Sequence, residues 1–157
     1  PLFGDRWEEA GAVFYEAYGR LHIESLAPLP GAADLLAALA GRGYCLAVVS
    51  NKRGPFLKEE SETLGWTKYF HRLVGAGDAA VDKPAPDPLY MALDGSGHTP
   101  SPTVWMVGDA DVDLEMAHRA GCTAVLIGEG GPGFEDFPPH LRVSSCADLA
   151  EAVRALE

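Results

Sequence analysis

Cysteine is sparse in this 157-residue chain: Cys45, Cys122 and Cys146 are far apart, odd in number and form no CxxC pair. That excludes a disulfide framework or a cysteine-based zinc site and predicts three buried thiols in a reducing cytosol. Basic residues are scarce as well. Twelve Lys and Arg against 23 Asp and Glu give a formal charge of −11, and the cations fall singly or in pairs, with no stripe or arm to follow a phosphate backbone. Nucleic acid is therefore not an expected partner, whereas a small phosphorylated molecule remains compatible, because one lysine and a bound divalent cation reverse the field locally. Long apolar runs are missing too. No stretch approaches membrane-spanning length, and Pro1-Leu2-Phe3-Gly4-Asp5 spells neither a signal nor a transit peptide, so a cytoplasmic, non-membrane protein is expected. Oligomeric state is left open.

With 47% hydrophobic and 22% charged residues, the chain is suited to one domain with a real core. Trp7, Ala10, Phe14, Ala17, Tyr18 and Leu21 recur at three- and four-residue steps, which predicts an amphipathic helix over about residues 5–25, ended by Pro28 and Pro30. A second helix is expected from about Gly31 to the Gly41-Arg42-Gly43 breaker. Short apolar runs then predict strands at residues 44–49, 72–75, 103–107, 122–127 and 141–144. Helices are expected at residues 55–64, 87–93, 111–120 and 148–156, with Asp87 as an N-cap ahead of Pro88 and a loose Gly/Pro-rich loop before residue 141. Fully apolar strands alternating with helices indicate an α/β fold, a doubly wound, Rossmann-like parallel sheet that binds its ligand at the carboxyl ends of the strands.

Polar residues of a distinctive kind follow three of those strands. Ala47-Val48-Val49 runs into Ser50-Asn51; the third segment reaches Asp82-Lys83-Pro84-Ala85-Pro86-Asp87-Pro88; Val104-Trp105-Met106-Val107 runs into Gly108-Asp109-Ala110-Asp111-Val112-Asp113. Serine and asparagine after a strand are often no more than helix N-caps, but the same hydroxyl and neighbouring N–H groups at a helix N-terminus cradle phosphate. Lys83 alone would read as a solvated charge. Its setting among prolines, near carboxylates, instead suits a cation that holds a self-repelling anionic site together. Three aspartates within five residues repel one another unless a cation neutralises them; Asp109 and Asp113, four apart, are expected to face one way and Asp111 another. A calcium-loop reading fails, since Leu114 stands where glycine is needed and Ala120 where glutamate is needed.

In this order and at these strand ends, the motifs resemble the haloacid dehalogenase (HAD) superfamily, from about Pro28 to the C-terminus, and most closely its phosphoglycolate phosphatase-like branch. The resemblance implies a phosphatase acting on a small phosphorylated metabolite with Mg2+, through an aspartyl-phosphate intermediate. It makes Ser50 and Lys83 catalytic, Ser50, Asn51 and Lys83 phosphate-binding, and Asp109 and Asp113 metal-handling, Asp113 either supporting the metal or orienting Lys83. Leu29-Pro30-Gly31 takes the place where the branch returns from its helical cap, so residues 1–27 are expected to be a cap remnant and residues 28–157 the HAD-like core. One part of the pattern is not spelled. No D-x-D-G-T first motif precedes Asp109; Asp5 follows a segment too short for a buried strand, and Arg6-Trp7 replaces the second aspartate and glycine. The resemblance therefore implies that the nucleophile and the central strand carrying it lie upstream, and that the chain by itself is inactive. A HAD-like domain that has lost catalysis and serves in binding or assembly is the alternative. A dehalogenase is disfavoured by the Asp109/Asp113 pair, and a receiver domain by the order of the motifs.

Overall fold

A computed structural model describes residues 4–131 and 133–156; the Pro1-Leu2-Phe3 segment, read above as too short for a strand, lies outside the described residues. A single 3-10 turn at Gly4–Arg6 leads into α1 (Trp7–Leu21), followed by α2 (Ala32–Gly41), β1 (Ala47–Arg53), α3 (Gly54–Thr63), β2 (Arg72–Ala76) and α4 (Asp87–Leu93). Then come β3 (Trp105–Gly108), α5 (Asp111–Ala120), β4 (Thr123–Ile127), β5 (Leu141–Val143) and α6 (Cys146–Arg154). Every strand pairing is parallel, with β1 beside β2 in one sheet and the order β3-β4-β5 in the other.

The core shows why the strands read as unbroken apolar runs. Ala124, Val125 and Leu126 on β4 are all fully buried, and successive residues of a strand point to opposite faces. Leu126 packs with Leu89 of α4 and with Leu114 and Met116 of α5, while Val125 packs with Leu149 and Val153 of α6 and with Leu35 and Leu39 of α2. Helices therefore cover both faces, as a doubly wound α/β fold requires. Among the described residues no strand pairing joins β1 to β3. An apolar slot of about 240 Å³ lies beside β3, lined by Tyr44 and Leu46 from the segment ahead of β1, by Val104, Trp105 and Val107, and by Leu149 and Val153 of α6.

Four expectations are corrected. β1 neither starts at residue 44 nor stops at residue 49. Its register with β2 runs Val49↔Val74 and then jumps to Arg53↔Ala76, so a bulge spanning Ser50, Asn51 and Lys52 faces Gly75 alone. A Cβ on Gly75 would overlap the backbone of Gly54, so glycine is what lets the bulge fold down onto β2 and the pairing continue to Arg53. α6 begins at Cys146, because Ser145 takes the N-cap: its hydroxyl accepts from the Asp148 N–H (3.1 Å), and the Asp148 carboxylate accepts from the Ser144 N–H (3.1 Å). At α4 the limits agree, but Pro86 is the N-cap and Asp87 is already helical. Cys122 and Cys146 are buried, with burial pushing the Cys122 thiol up from its ordinary ionisation, whereas Cys45 is exposed at the mouth of the slot, contrary to expectation.

Gly75→Ala is predicted to lose about 2 kcal/mol of unfolding free energy in urea titration, the scale of overpacking a close backbone contact. Gly41→Ala, a helical glycine with nothing near its missing side chain, is predicted to be neutral or to gain about 0.5 kcal/mol. Equal losses at the two positions would contradict the bulge argument.

Candidate active site

Lys83 arrives on the loop between β2 and α4, and its side chain is only 9% exposed. Its ammonium donates to Asp113 Oδ1 (2.6 Å) and to the backbone carbonyl of Val49 (3.3 Å). One cation thereby ties β1 in one sheet, at the residue before its bulge, to the head of α5, which follows β3 in the other.

Asp113 is placed by its own helix. It sits in the first turn of α5, where the dipole favours negative charge, and its Oδ2 accepts from the Ala110 N–H (3.2 Å), closing the helix start. The carboxylate lies flat on Gly108, where a Cβ would overlap it, so the glycine that ends β3 is a requirement of the pair. Burying two charges is costly unless they meet each other and are otherwise hydrogen-bonded; here both Asp113 oxygens and two of the three Lys83 protons are met.

Ser50 lies in the bulge next to Val49, and its Oγ accepts from the Lys52 N–H (3.1 Å). The expectation of a cradle at a helix N-terminus is not met in that form. α3 starts three residues beyond Asn51, and the Asp78 carboxylate, which accepts from the Gly75 N–H (2.9 Å), stands against Gly54 at the start of that helix. Ser50 and Asn51 are presented by the bulge instead. Asn51 and Asp109 are exposed, and neither side chain makes a hydrogen bond or ion pair among the described residues. Asp111 is exposed in the first turn of α5.

The structure therefore joins Lys83 to Asp113 and to Val49, the chain neighbour of Ser50, while Asp109 borders a groove of about 770 Å³ shared with Pro30, Gly128 and Ser144. Among the described residues no group of three or more His, Cys, Asp or Glu side chains stands ready for a metal. Two participants were not foreseen: the Val49 carbonyl, which carries no side-chain signal, and Gly108, whose role follows only from the flat approach of Asp113. Gly-Asp directly after an apolar run was the available hint.

The profile of the haloacid dehalogenase-like hydrolase family matches residues 3–127. Phosphoglycolate phosphatase of Escherichia coli K12 is 33% identical over 144 residues, which is 90% of this chain and 57% of that protein, so the chain spans little more than half of that relative. A HAD-superfamily hydrolase of Ehrlichia chaffeensis superposes with a TM-score of 0.73 at 30% identity, covering 99% of this chain and 72% of its own. A predicted phosphoglycolate phosphatase of Haemophilus somnus 129PT gives a TM-score of 0.77 at 28% identity, over 89% and 63%.

Lys83→Met is predicted to destabilise the fold by about 3–5 kcal/mol in urea titration, because it leaves the Asp113 carboxylate buried without its cation. Adding Asp113→Ala should return much of that loss, and simple additivity of the two changes would show that they do not form a coupled pair.

Proposed function

The chain belongs to the haloacid dehalogenase-like hydrolase family, and from that premise we propose a Mg2+-dependent phosphomonoester hydrolase acting on a small phosphorylated metabolite in the cytoplasm. The observation that carries the proposal is the Lys83 bridge, which sets a cation between the Ser50 bulge and the acidic start of α5. Residues 28–157 are the catalytic core in this reading, and α1 is the last part of a helical cap. In this reading the nucleophilic carboxylate is borne on a further parallel strand, which the edges of β1 and β3 left unpaired among the described residues and the apolar slot beside β3 suit.

The free valences support the assignment. The Ser50 hydroxyl already accepts one bond, so its own proton is left to donate to a phosphate oxygen. The Lys83 ammonium has three protons, and two are spent on Asp113 and Val49, which leaves one for the substrate. The Asn51 amide, exposed and unbonded, supplies a further donor. Asp113, with one oxygen on Lys83 and the other on the Ala110 N–H, orients the lysine; this is the second of the two roles considered for it.

Asp109 suits the metal. Its carboxylate is exposed beside the groove with no cation of its own, and Mg2+ keeps several waters and takes only one or two carboxylates besides substrate phosphate. When bound, the ion would offset phosphoryl charge that builds up during transfer. Phosphoryl transfer to the nucleophilic aspartate and hydrolysis of the aspartyl-phosphate then proceed with Ser50, Asn51 and Lys83 holding the oxygens in place.

The full-length protein is predicted to release phosphate from an aryl phosphate, and from phosphoglycolate as the first metabolite to try, only with Mg2+ present. Asp109→Asn should cost at least about 100-fold in kcat/KM, and Ser50→Ala about 10–100-fold. Turnover that ignores Asp109→Asn would sink the metal assignment, and phosphate binding without turnover would favour the binding-only alternative.

A further inference from the structure

The bulge that presents Ser50 is tied down by a carboxylate that plays no part in the chemistry above. The register with β2 skips Ser50, Asn51 and Lys52, so ladder pairing does not fix them. The Lys52 N–H is spent on the Ser50 hydroxyl (3.1 Å), and the direction of that hydroxyl therefore follows the backbone at Lys52. Lys52 is held in turn by its ammonium, which donates to Oε2 of Glu60 on α3. Glu60 is itself fixed. Its side chain is 9% exposed, and its Oε1 accepts from the Tyr18 hydroxyl of α1 (3.1 Å) and lies 3.0 Å from Nδ1 of His22, just past the end of that helix.

We propose that Glu60 is a positioning residue for Ser50: by anchoring the Lys52 ammonium it fixes the bulge backbone that aims the serine hydroxyl, without touching substrate itself. A lysine stem turns freely about its four carbons, and holding its head in one place needs an acceptor stronger than water. An ionised carboxylate with its other oxygen already committed is such an acceptor. Burial works against the Lys52 ammonium, but its bonds to Glu60 and Tyr18 outweigh that and hold it above the usual lysine range. Burial likewise opposes the Glu60 carboxylate, and the bonds from Lys52, His22 and Tyr18 outweigh it and hold Glu60 below the usual carboxylate range.

Two contacts on the bulge thus divide the work. The close seat of Gly54 on Gly75 keeps the chain in the sheet whether or not Glu60 is charged. The Lys52–Glu60 pair sets the direction of what the bulge presents, so neutralising Glu60 loosens Lys52 and Ser50 without unfolding β1. Because Tyr18 and His22 hold Glu60 from the side of α1, that helix and the phosphate-binding bulge share one anchor. The consequence for turnover rests on the phosphatase reading; the consequence for the bulge does not.

The test compares Glu60→Gln with Glu62→Gln, which removes the same charge at an exposed position of α3, in the full-length protein. Without ligand, Glu60→Gln is expected to speed hydrogen exchange at the Lys52 amide about 10-fold and to shift the 15N signals of Lys52 and Ser50, while Val125 of β4 keeps its protection. In hydrolysis of an aryl phosphate with Mg2+, Glu60→Gln is expected to lower kcat/KM about 10-fold. In a Ser50→Ala background the same change should cost less than about 2-fold, because the group it positions is gone. Tyr18→Phe, which removes one bond to Glu60 and no charge, should give smaller changes of the same sense, and Glu62→Gln none. A Lys52 amide that exchanges as in the wild type, or a Glu60→Gln loss that is equal with and without the Ser50 hydroxyl, would overturn the proposal. A wild type that releases no phosphate sinks the phosphatase reading instead, and the Lys52 amide then decides the proposal by itself.

Discussion

A buried ammonium, set beside apolar packing of α4 against both sheets, spans the two sheets of this fold. No strand pairing bridges β1 and β3 among the described residues, yet Lys83 holds the Val49 carbonyl on one side and the Asp113 carboxylate on the other. Around that contact the local choices become necessary. Gly108 must lack a side chain for Asp113 to lie flat, and α5 must start at Asp111 for Asp113 to reach both Lys83 and the Ala110 N–H. The charges are nearly out of water, where an unpaired partner costs several kcal/mol, so the geometry is fixed by the penalty for departing from it more than by the strength of the attraction.

The Ser50 bulge is held from two directions by different physics. Beneath it the contact is steric, with the backbone of Gly54 pressed over Gly75. Above it the contact is electrostatic, with Lys52 drawn to Glu60 and thus to His22 and α1. Between them the Ser50 hydroxyl accepts one backbone bond and keeps its proton available. Such preorganisation lets a site meet developing charge without first rearranging.

Much of this was legible in the sequence wherever a local rule applied. The limits of α4 and α5 are read correctly from apolar spacing and breakers, and Gly108-Asp109 was recognised at a strand end, whereas Ser50-Asn51 lies within β1 and Lys83 on the loop after β2. Where contacts come from distant parts of the chain, the reading loses detail. β1 looks finished at Val49 because polar Ser50, Asn51, Lys52 and Arg53 resemble a loop, and only pairing with β2 past Gly75 keeps them in the sheet. The link of His22 to Glu60 spans 38 residues and leaves no periodic trace. α1 was expected to be amphipathic on the stripe through Trp7, Ala10, Phe14, Ala17, Tyr18 and Leu21; Tyr18 does dock on Phe56, joined there by Tyr15, but Trp7, Phe14 and Leu21 are exposed. Among the described residues only the Tyr18 part of that stripe meets a distant partner, which periodicity cannot reveal.

The central claim is that the Lys83 bridge and the Ser50 bulge form one phosphate-binding unit. Titrating the full-length protein with inorganic phosphate in the presence of Mg2+, while following the 15N signals of the Lys83 ammonium and the Ser50 amide, tests it most directly. The account predicts that both signals shift together along one saturation curve and that omitting Mg2+ weakens that curve. Phosphate binding that saturates while both signals stay still would contradict it.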